Sequence, residues 1–485
     1  MVRLLDYDPI LEGIDQFPLE FIEQRKAIRL SLQPQVVGVV NLNDQLLKSE
    51  LEFFLQEKIE FVGIDDQELA EFLSRRFSQI SDDKIESEDE KVRLDRLAND
   101  APIVNLVNNI LLEGIRLGCS DIHLEALSDQ VRVRYRIDGV LRLGRILSRE
   151  LFPSLSSRLK VMANLNIIER RLPQDGRLTV NASGQDTEFR ISIIPLAEGE
   201  SIVLRMFHRH DMIQGLEELG FSGRFLSTLR TAAKSSNGLI LLTGPTGSGK
   251  TTTLNALIRE LSHEGNKVIT IEDPVENVLP GVNQIQTNED IGLSFESILR
   301  RILRQDPDIL MVGEIRDRRT AELSIRSALT GHLVLSTLHT NDALSSIQRL
   351  INMGTEAFLL GTVLRGVVAQ RLVRKVCPIC RIKVDLTPSQ QEWLKRRGYD
   401  NVPPLFAASG CDSCRHTGYS GRTVLGEIFS VDETFEELIT KGAKHREMEQ
   451  YFKRQAIPFL FDDAWEKVLS GVTTLSELER VVMTE

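Results

Sequence analysis

The chain has 485 residues, 41% apolar and 27% charged, with a formal charge of −11. At roughly 150 residues per domain that is about three domains with several cores, which excludes a small stapled scaffold, and the acidic balance argues against a nucleic-acid-coating role. No run of about 18 apolar residues is present, so no bilayer span is expected, and Met1 to Phe17 carries Asp6, Asp8, Glu12 and Asp15 where an export signal would be basic and then apolar.

Leu51, Phe54, Leu55 and Ile59, then Leu69, Phe72 and Leu73, recur at helical spacing and predict a small helical domain within residues 1–80. The run SDDKIESEDEK from Ser81 to Lys91 is acidic and free of aromatics. It reads as a solvated linker over 81–100, the alternative being an exposed charged helix. A helix follows from Ala101, with Val104, Val107, Ile110, Leu111 and Ile115 on one stripe. Val131 to Ile137 then alternates strictly and meets the turn pair Asp138-Gly139, the pattern of a hairpin with one apolar and one basic face. Further strands at Thr187 to Ile194 and Ser201 to Phe207 make 101–207 an α+β domain, and the glycines Gly215 to Gly223 suggest a hinge over 208–223.

From 224 to 485 the pattern is α/β. Short apolar strands at Gly238 to Thr243, Lys267 to Glu272, Asp308 to Gly313 and Leu333 to Leu338 alternate with helical stretches, as in a parallel sheet covered on both faces. The first strand runs into GPTGSGKTTT, Gly244 to Thr253. Glycines let such a loop curl so that N–H groups converge on phosphate oxygens. Gly244, Pro245, Thr246, Gly247, Ser248, Gly249, Lys250, Thr251 and Thr252 are the expected ATP-binding run, with Lys250 on the β- and γ-phosphates and Thr251 on Mg²⁺. Two strands end in acids, Glu272-Asp273 and Glu314, at the sheet edge where ligands of open α/β sheets sit. One acid can orient the attacking water and the other hold the Mg²⁺ shell; alone, either would read as a solvated strand end.

The arginines Arg177, Arg190, Arg300 and Arg304 can stabilise charge on a transferring phosphoryl group from another domain or subunit, or be plain solvated cations. Arg300 and Arg304, four apart, share a helix face. His332 and His339 flank the strand Leu333 to Leu338, and an odd separation of seven points them to opposite faces, so at most one meets phosphate; a structural role is the alternative. Cys377-x-x-Cys380 and Cys411-x-x-Cys414, thirty residues apart, suit a closed tetrahedral Zn²⁺ site of structural type within an insertion over 375–420, with 424–485 as a C-terminal helical part. Free buried thiols, or His416 as a substitute ligand, remain open. Cys119 reads as a small buried residue.

The runs TIEDPVE (Thr270 to Glu276), RQDPDILMVGEIRD (Arg304 to Asp317) and ALTGHLVLSTLHTN (Ala328 to Asn341) resemble the Asp box, Walker B segment and His box of the ATPases that drive type II secretion and type IV pilus assembly. SDIHLE (Ser120 to Glu125), RLPQDGR (Arg171 to Arg177) and FRIS (Phe189 to Ser192) extend the resemblance over most of the chain from Ala101 onward. It implies a RecA-like P-loop NTPase core preceded by a PAS-like α+β domain. Glu272 would be the catalytic base, Glu314 the acid acting on Mg²⁺, and His332 and His339 the couplers of nucleotide state to conformation. Arginines of the preceding domain would close the site as that domain moves. It further implies a cytoplasmic homo-hexamer, held peripherally at the inner membrane through a secretion platform and an anchor protein bound by the N-terminal domain.

A tetracysteine insertion is usual in secretion and pilus-extension members and usually missing from retraction members. The short N-terminal region and single linker favour the secretion member over a pilus-extension ATPase. From other classes come a nucleic-acid translocase, for which Arg132, Arg134 and Arg136 offer a basic face without interleaved aromatics, and a nucleotide-gated switch that does not turn over.

Overall fold

The computed structural model describes residues 22, 25–32, 35–55, 58–69, 98–182, 184–207 and 215–482. They fall into two compact units, Met1–Val107 with Glu150–Pro173, and Asn108–Arg149 with Gln174–Glu485. The first unit holds a three-stranded sheet of β1 (Ala27–Leu32), β2 (Gln35–Val39) and β3 (Glu60–Gly63). β1 and β2 are antiparallel, and β3 joins β2 in parallel after the helix Gln45–Leu55. Ile28, Leu30, Val37 and Val39 bury against Leu47 and Leu51 of that helix. The expected small helical domain is thus a mixed one among the described residues. The helical stripe was legible, whereas the β-branched run of β2 and the alternation of β1 outrank it before Gln45. Phe72, Leu73 and the acidic run 81–91 lie outside the described residues.

In the second unit, β4 (Asp121–Ala126), β5 (Gln130–Ile137), β6 (Val140–Ser148), β7 (Gln174–Ala182), β8 (Gln185–Leu196) and β9 (Gly199–Phe207) form an antiparallel sheet in the order β6-β5-β4-β9-β8-β7. The β5–β6 turn is the expected Asp138-Gly139, with φ of 48° and 81°, the mirror-image turn that matches strand twist. Val131, Val133 and Tyr135 bury completely while Arg132 is exposed on the opposite face. That is the apolar and basic pair of faces expected from alternation.

The larger sheet contains β10 (Gly238–Thr243), β11 (Val268–Glu272), β12 (Asn283–Gln286), β13 (Ile309–Val312), β14 (Leu333–Leu338) and β15 (Leu364–Val376). After a ribbon of β16 (Ile382–Val384) and β17 (Leu405–Ala407), β18 (Tyr419–Ser430) completes it. The order is β12-β11-β13-β14-β10-β15-β18, parallel throughout except for β18. Continuous apolar strands are required because both faces are covered. Leu239 and Leu241 join one core with Ile298, Ile325 and Ile347 from three helices, while Ile240 and Leu242 join the other with Leu229 and Leu257. Each such buried aliphatic side chain contributes about 1.5–3 kcal/mol. Ser222, Ser294, Asp317 and Asp342 cap the flanking helices, each accepting an N–H three residues on, at about 1 kcal/mol per cap.

Two expectations are corrected here. The part from 424 onward is not helical from its start, because β18 runs to Ser430 and pairs with β15 across the insertion, Val376 opposite Tyr419. The suggested hinge is packed from Leu216 onward, where Leu216 and Phe221 enter the core; residues 208–214 lie outside the described residues. Among the described residues no helix is long and apolar enough to cross a membrane.

Candidate functional site

β10 ends at Thr243, and the loop from Gly244 to Gly249 leads into the helix Lys250–Leu261. Gly244 adopts φ 146°, and a Cβ there would lie 2.4 Å from the Gln370 carbonyl oxygen, so only glycine lets the loop leave the strand beside β15. The Gln370 side chain donates to the Ser248 carbonyl at 2.8 Å. Thr243 Oγ1 meets Thr340 Oγ1 at 2.7 Å, tying the loop to the end of β14. Pro245, Thr246, Gly247 and Thr252 are exposed, Gly249 and Thr251 half-buried, and Ser248 buried.

Lys250 Nζ donates to the carbonyls of Gly244 at 2.7 Å and Pro245 at 3.1 Å. Burial pulls its pKa down to about 8, the nearby Glu314 carboxylate working against that and Arg371 adding to it. Such carbonyl partners are interim ones for an ammonium at the mouth of a phosphate-sized loop.

The strand order carries the acids toward this loop. Glu272 ends β11, Glu314 follows β13, and His339 follows β14, the neighbour of β10. Glu272 is 4% exposed, and one of its oxygens accepts from Thr270 Oγ1 at 2.6 Å and from Gln284 Nε2 at 2.9 Å. Glu314 is paired on one oxygen with Arg316 and lies 3.5 Å from His339 Nε2 on the other; Arg316 also reaches Asp273 at 3.7 Å. Burial lowers the His339 pKa, Lys250 reinforces that and Glu314 opposes it. Thr270, Gln284 and Arg316 escaped the sequence reading. Only the fixed period-two relation of Thr270 to Glu272 was there to find.

His332 stands apart from the phosphate loop. It precedes β14 at the amino ends of the strands, with its ring Nδ1 2.8 Å from the Ser327 carbonyl oxygen. Seven residue steps at about 3.3 Å each separate it from His339 by roughly 23 Å. Arg300 and Arg304 do not share a helix face as expected, because the helix Phe295–Ile302 ends before Arg304; Arg300 pairs with Glu296 at 2.6 Å, and the helix runs back toward the amino ends, so neither joins the loop within this chain. Arg177 and Arg190 are exposed direct cross-strand neighbours, and Arg205, which the sequence reading missed, stands opposite Arg190. Asp121 anchors that row, 3.0 Å from Arg205, and Arg205 lies within electrostatic reach of Glu276, four residues past Glu272.

The four insertion cysteines converge, their sulfurs all within 4.8 Å of one another. Cys377–Cys411 is 4.0 Å, and Cys380–Cys414 and Cys411–Cys414 are 3.7 Å, against about 3.8 Å for thiolates 2.3 Å from one tetrahedral ion. Burial disfavours a Cys414 thiolate, but N–H groups of Cys411 and Gly418, each 3.2 Å away, together with the Cys380 and Cys411 side chains, more than offset it and bring the thiol to about 6. The donor set therefore fits zinc. His416 stands outside it, with Nε2 3.0 Å from Asp412. Cys119 is buried, and burial pushes its thiol up to about 12, as for an inert core residue.

Residues 96–480 match the family described as Type II/IV secretion system protein. The chain belongs to that family. A Type II secretion system protein E of Pseudomonas aeruginosa is 45% identical over 389 residues, 80% of this chain and 77% of the relative. The Type IV pilus assembly ATPase TfpB of Acinetobacter baylyi is 44% identical over 388 residues, 79% of this chain and 66% of the relative. Among solved structures, the pilus retraction motor PilT with bound ADP aligns at 26% identity and a TM-score of 0.52, over 77% of this chain and 96% of that one. This family member is a secretion ATPase, with the RecA-like core of its structural neighbours.

Proposed function

We propose that the chain is the cytoplasmic ATPase of a type II secretion machine, hydrolysing ATP to power assembly of a pilin-like fibre for protein export. The observation that carries this is the shared edge of four neighbouring strands, which holds Glu272, Glu314, His339 and the Lys250 loop together. ATP phosphates are held by the N–H groups of the loop, and Lys250 exchanges the Gly244 and Pro245 carbonyls for phosphate oxygens. Thr251 and Glu314 would hold Mg²⁺, which would supply charge neutralisation for the transferring phosphoryl group.

Glu272, held in place by hydrogen bonds from Thr270 and Gln284, takes a proton from water. The water oxygen bonds to the γ-phosphorus as the bond from that phosphorus to the bridging oxygen breaks, leaving ADP and phosphate. Arg177 and Arg190 act when closure of the antiparallel sheet, or a neighbouring subunit, brings them to the γ-phosphate. The cysteine quartet holds a structural Zn²⁺ with no open position for hydrolysis. A homo-hexamer docked on an inner-membrane platform, with residues 1–80 gripping its anchor and 81–100 as linker, accounts for arginines that lack a phosphate partner within one chain.

Pilus extension is the second reading, favoured by the near-equal identity to TfpB. Replacing Glu314 by Gln in the native organism separates them. Exoproteins retained in the cell with normal surface pili are expected. Lost pili with normal export would move the assignment to pilus extension, and no change in either would overturn both.

A further inference from the structure

Arg415 directly follows Cys414, and its backbone is left-handed, φ 51°, as is that of His416, φ 58°. Two consecutive residues with a Cβ in that region need surroundings that over-determine them. The cysteine turn supplies them. Arg415 N donates to the Asp412 carbonyl at 3.0 Å, His416 N to Cys411 at 2.8 Å and Thr417 N to Cys414 at 3.1 Å. Gly418 N donates to the Cys414 sulfur at 3.2 Å.

The turn aims the Arg415 side chain at the end of the helix Ala101–Leu117. Its guanidinium donates to the Leu117 carbonyl at 2.9 Å and the Arg116 carbonyl at 2.6 Å. Last-turn carbonyls have no partner within their helix and carry the negative end of its dipole, so a forked cation there is a favourable cap. A second contact runs from Arg422 on β18 to Asp138 in the β5–β6 turn, at 3.9 Å. The capped helix end leads within four residues to Asp121 of β4, which holds Arg205 and through it the row with Arg190 and Arg177.

We propose that the cysteine turn is a latch. Arg415 is a positioning residue that docks the antiparallel sheet to the ATPase core through the end of this helix, and so sets where the arginine row stands relative to the nucleotide. The inference deepens the ATPase reading and uses the metal reading in one arm of its test only. Fork geometry matters, since a lysine supplies the charge but cannot hold both carbonyls in one plane.

The test uses the full chain with Arg415→Ala and Arg415→Lys. Amide exchange of Gly118 and Cys119, which bond back to Ile115 and Gly114, is followed beside that of β10 and β14. In Arg415→Ala the helix-end amides are expected to exchange about tenfold faster with the β10 and β14 amides unchanged, at an unaltered metal content. Turnover should fall about fivefold in kcat with nucleotide affinity unchanged, the size of a modest coupling between sites. Arg415→Lys should fall between, and carries the test if the alanine variant does not fold. Stripping the metal from the unsubstituted chain should speed the same amides, and should add nothing in Arg415→Ala. Unchanged helix-end exchange in Arg415→Ala, or full protection there after metal removal, would overturn the latch. Neither readout involves export, so failure of the secretion assignment would leave this result standing.

Discussion

The two ends of the strand Leu333–Leu338 carry one histidine each, and the parallel sheet treats them differently. At the carboxyl end, His339 meets Glu314 beside the phosphate loop and has its proton affinity lowered by burial and Lys250. At the amino end, His332 fixes the turn that starts the strand through Ser327. The same division separates Glu272 and Glu314 from Arg304. In a parallel sheet every strand delivers its last residue to one edge, so chemistry collects there and the other edge is left to connections. Nearness in sequence to a nucleotide motif therefore counts for less than which end of a strand a residue occupies.

Breaking the carboxyl edge at its centre should give the largest effect. Lys250→Ala is expected to lower steady-state ATP turnover more than about a thousandfold, since it removes charge from the phosphates in both ground and transition states. Glu314→Gln should retain nucleotide binding in equilibrium titration but cut turnover about a hundredfold.

The histidines sharpen the contrast: His339→Ala should cost about tenfold in kcat and His332→Ala less than about twofold, the latter showing chiefly as a small fall in melting temperature. Equal effects would erase the distinction between the two ends. The gentlest probe is pH. With Lys250 near 8 in the free protein, ATP affinity should be flat below pH 8 and then weaken up to about tenfold per pH unit above it, because phosphate binds the protonated ammonium. Affinity independent of pH up to 10 would contradict the burial of that lysine.

Much of the site was legible because its chemistry is written in short contiguous runs. β10 and β14 have the bounds that their apolar runs predict, and the cysteine pairs converge as their spacing requires. What escaped was set by partners distant in the chain. β12 is the polar run Asn283–Gln286 at a sheet edge, where pairing with β11 rather than apolar burial makes it a strand. β15 and β18 are one antiparallel pair interrupted by the whole insertion, so neither announces the other locally. Arg316 and Gln284 acquire their meaning only when neighbouring strands bring them to Glu314 and Glu272. In the first unit, β3 has only four residues and is a strand by virtue of its parallel neighbour.

The most direct measurement is a paired one on Glu272→Gln, with labelled nucleotide binding at equilibrium and ATP cleavage in a single turnover. The account predicts binding within about twofold of the unsubstituted chain and cleavage slowed by a factor on the order of a hundred or more. Cleavage at the ordinary rate with binding intact would contradict it and remove the base from the edge of the sheet.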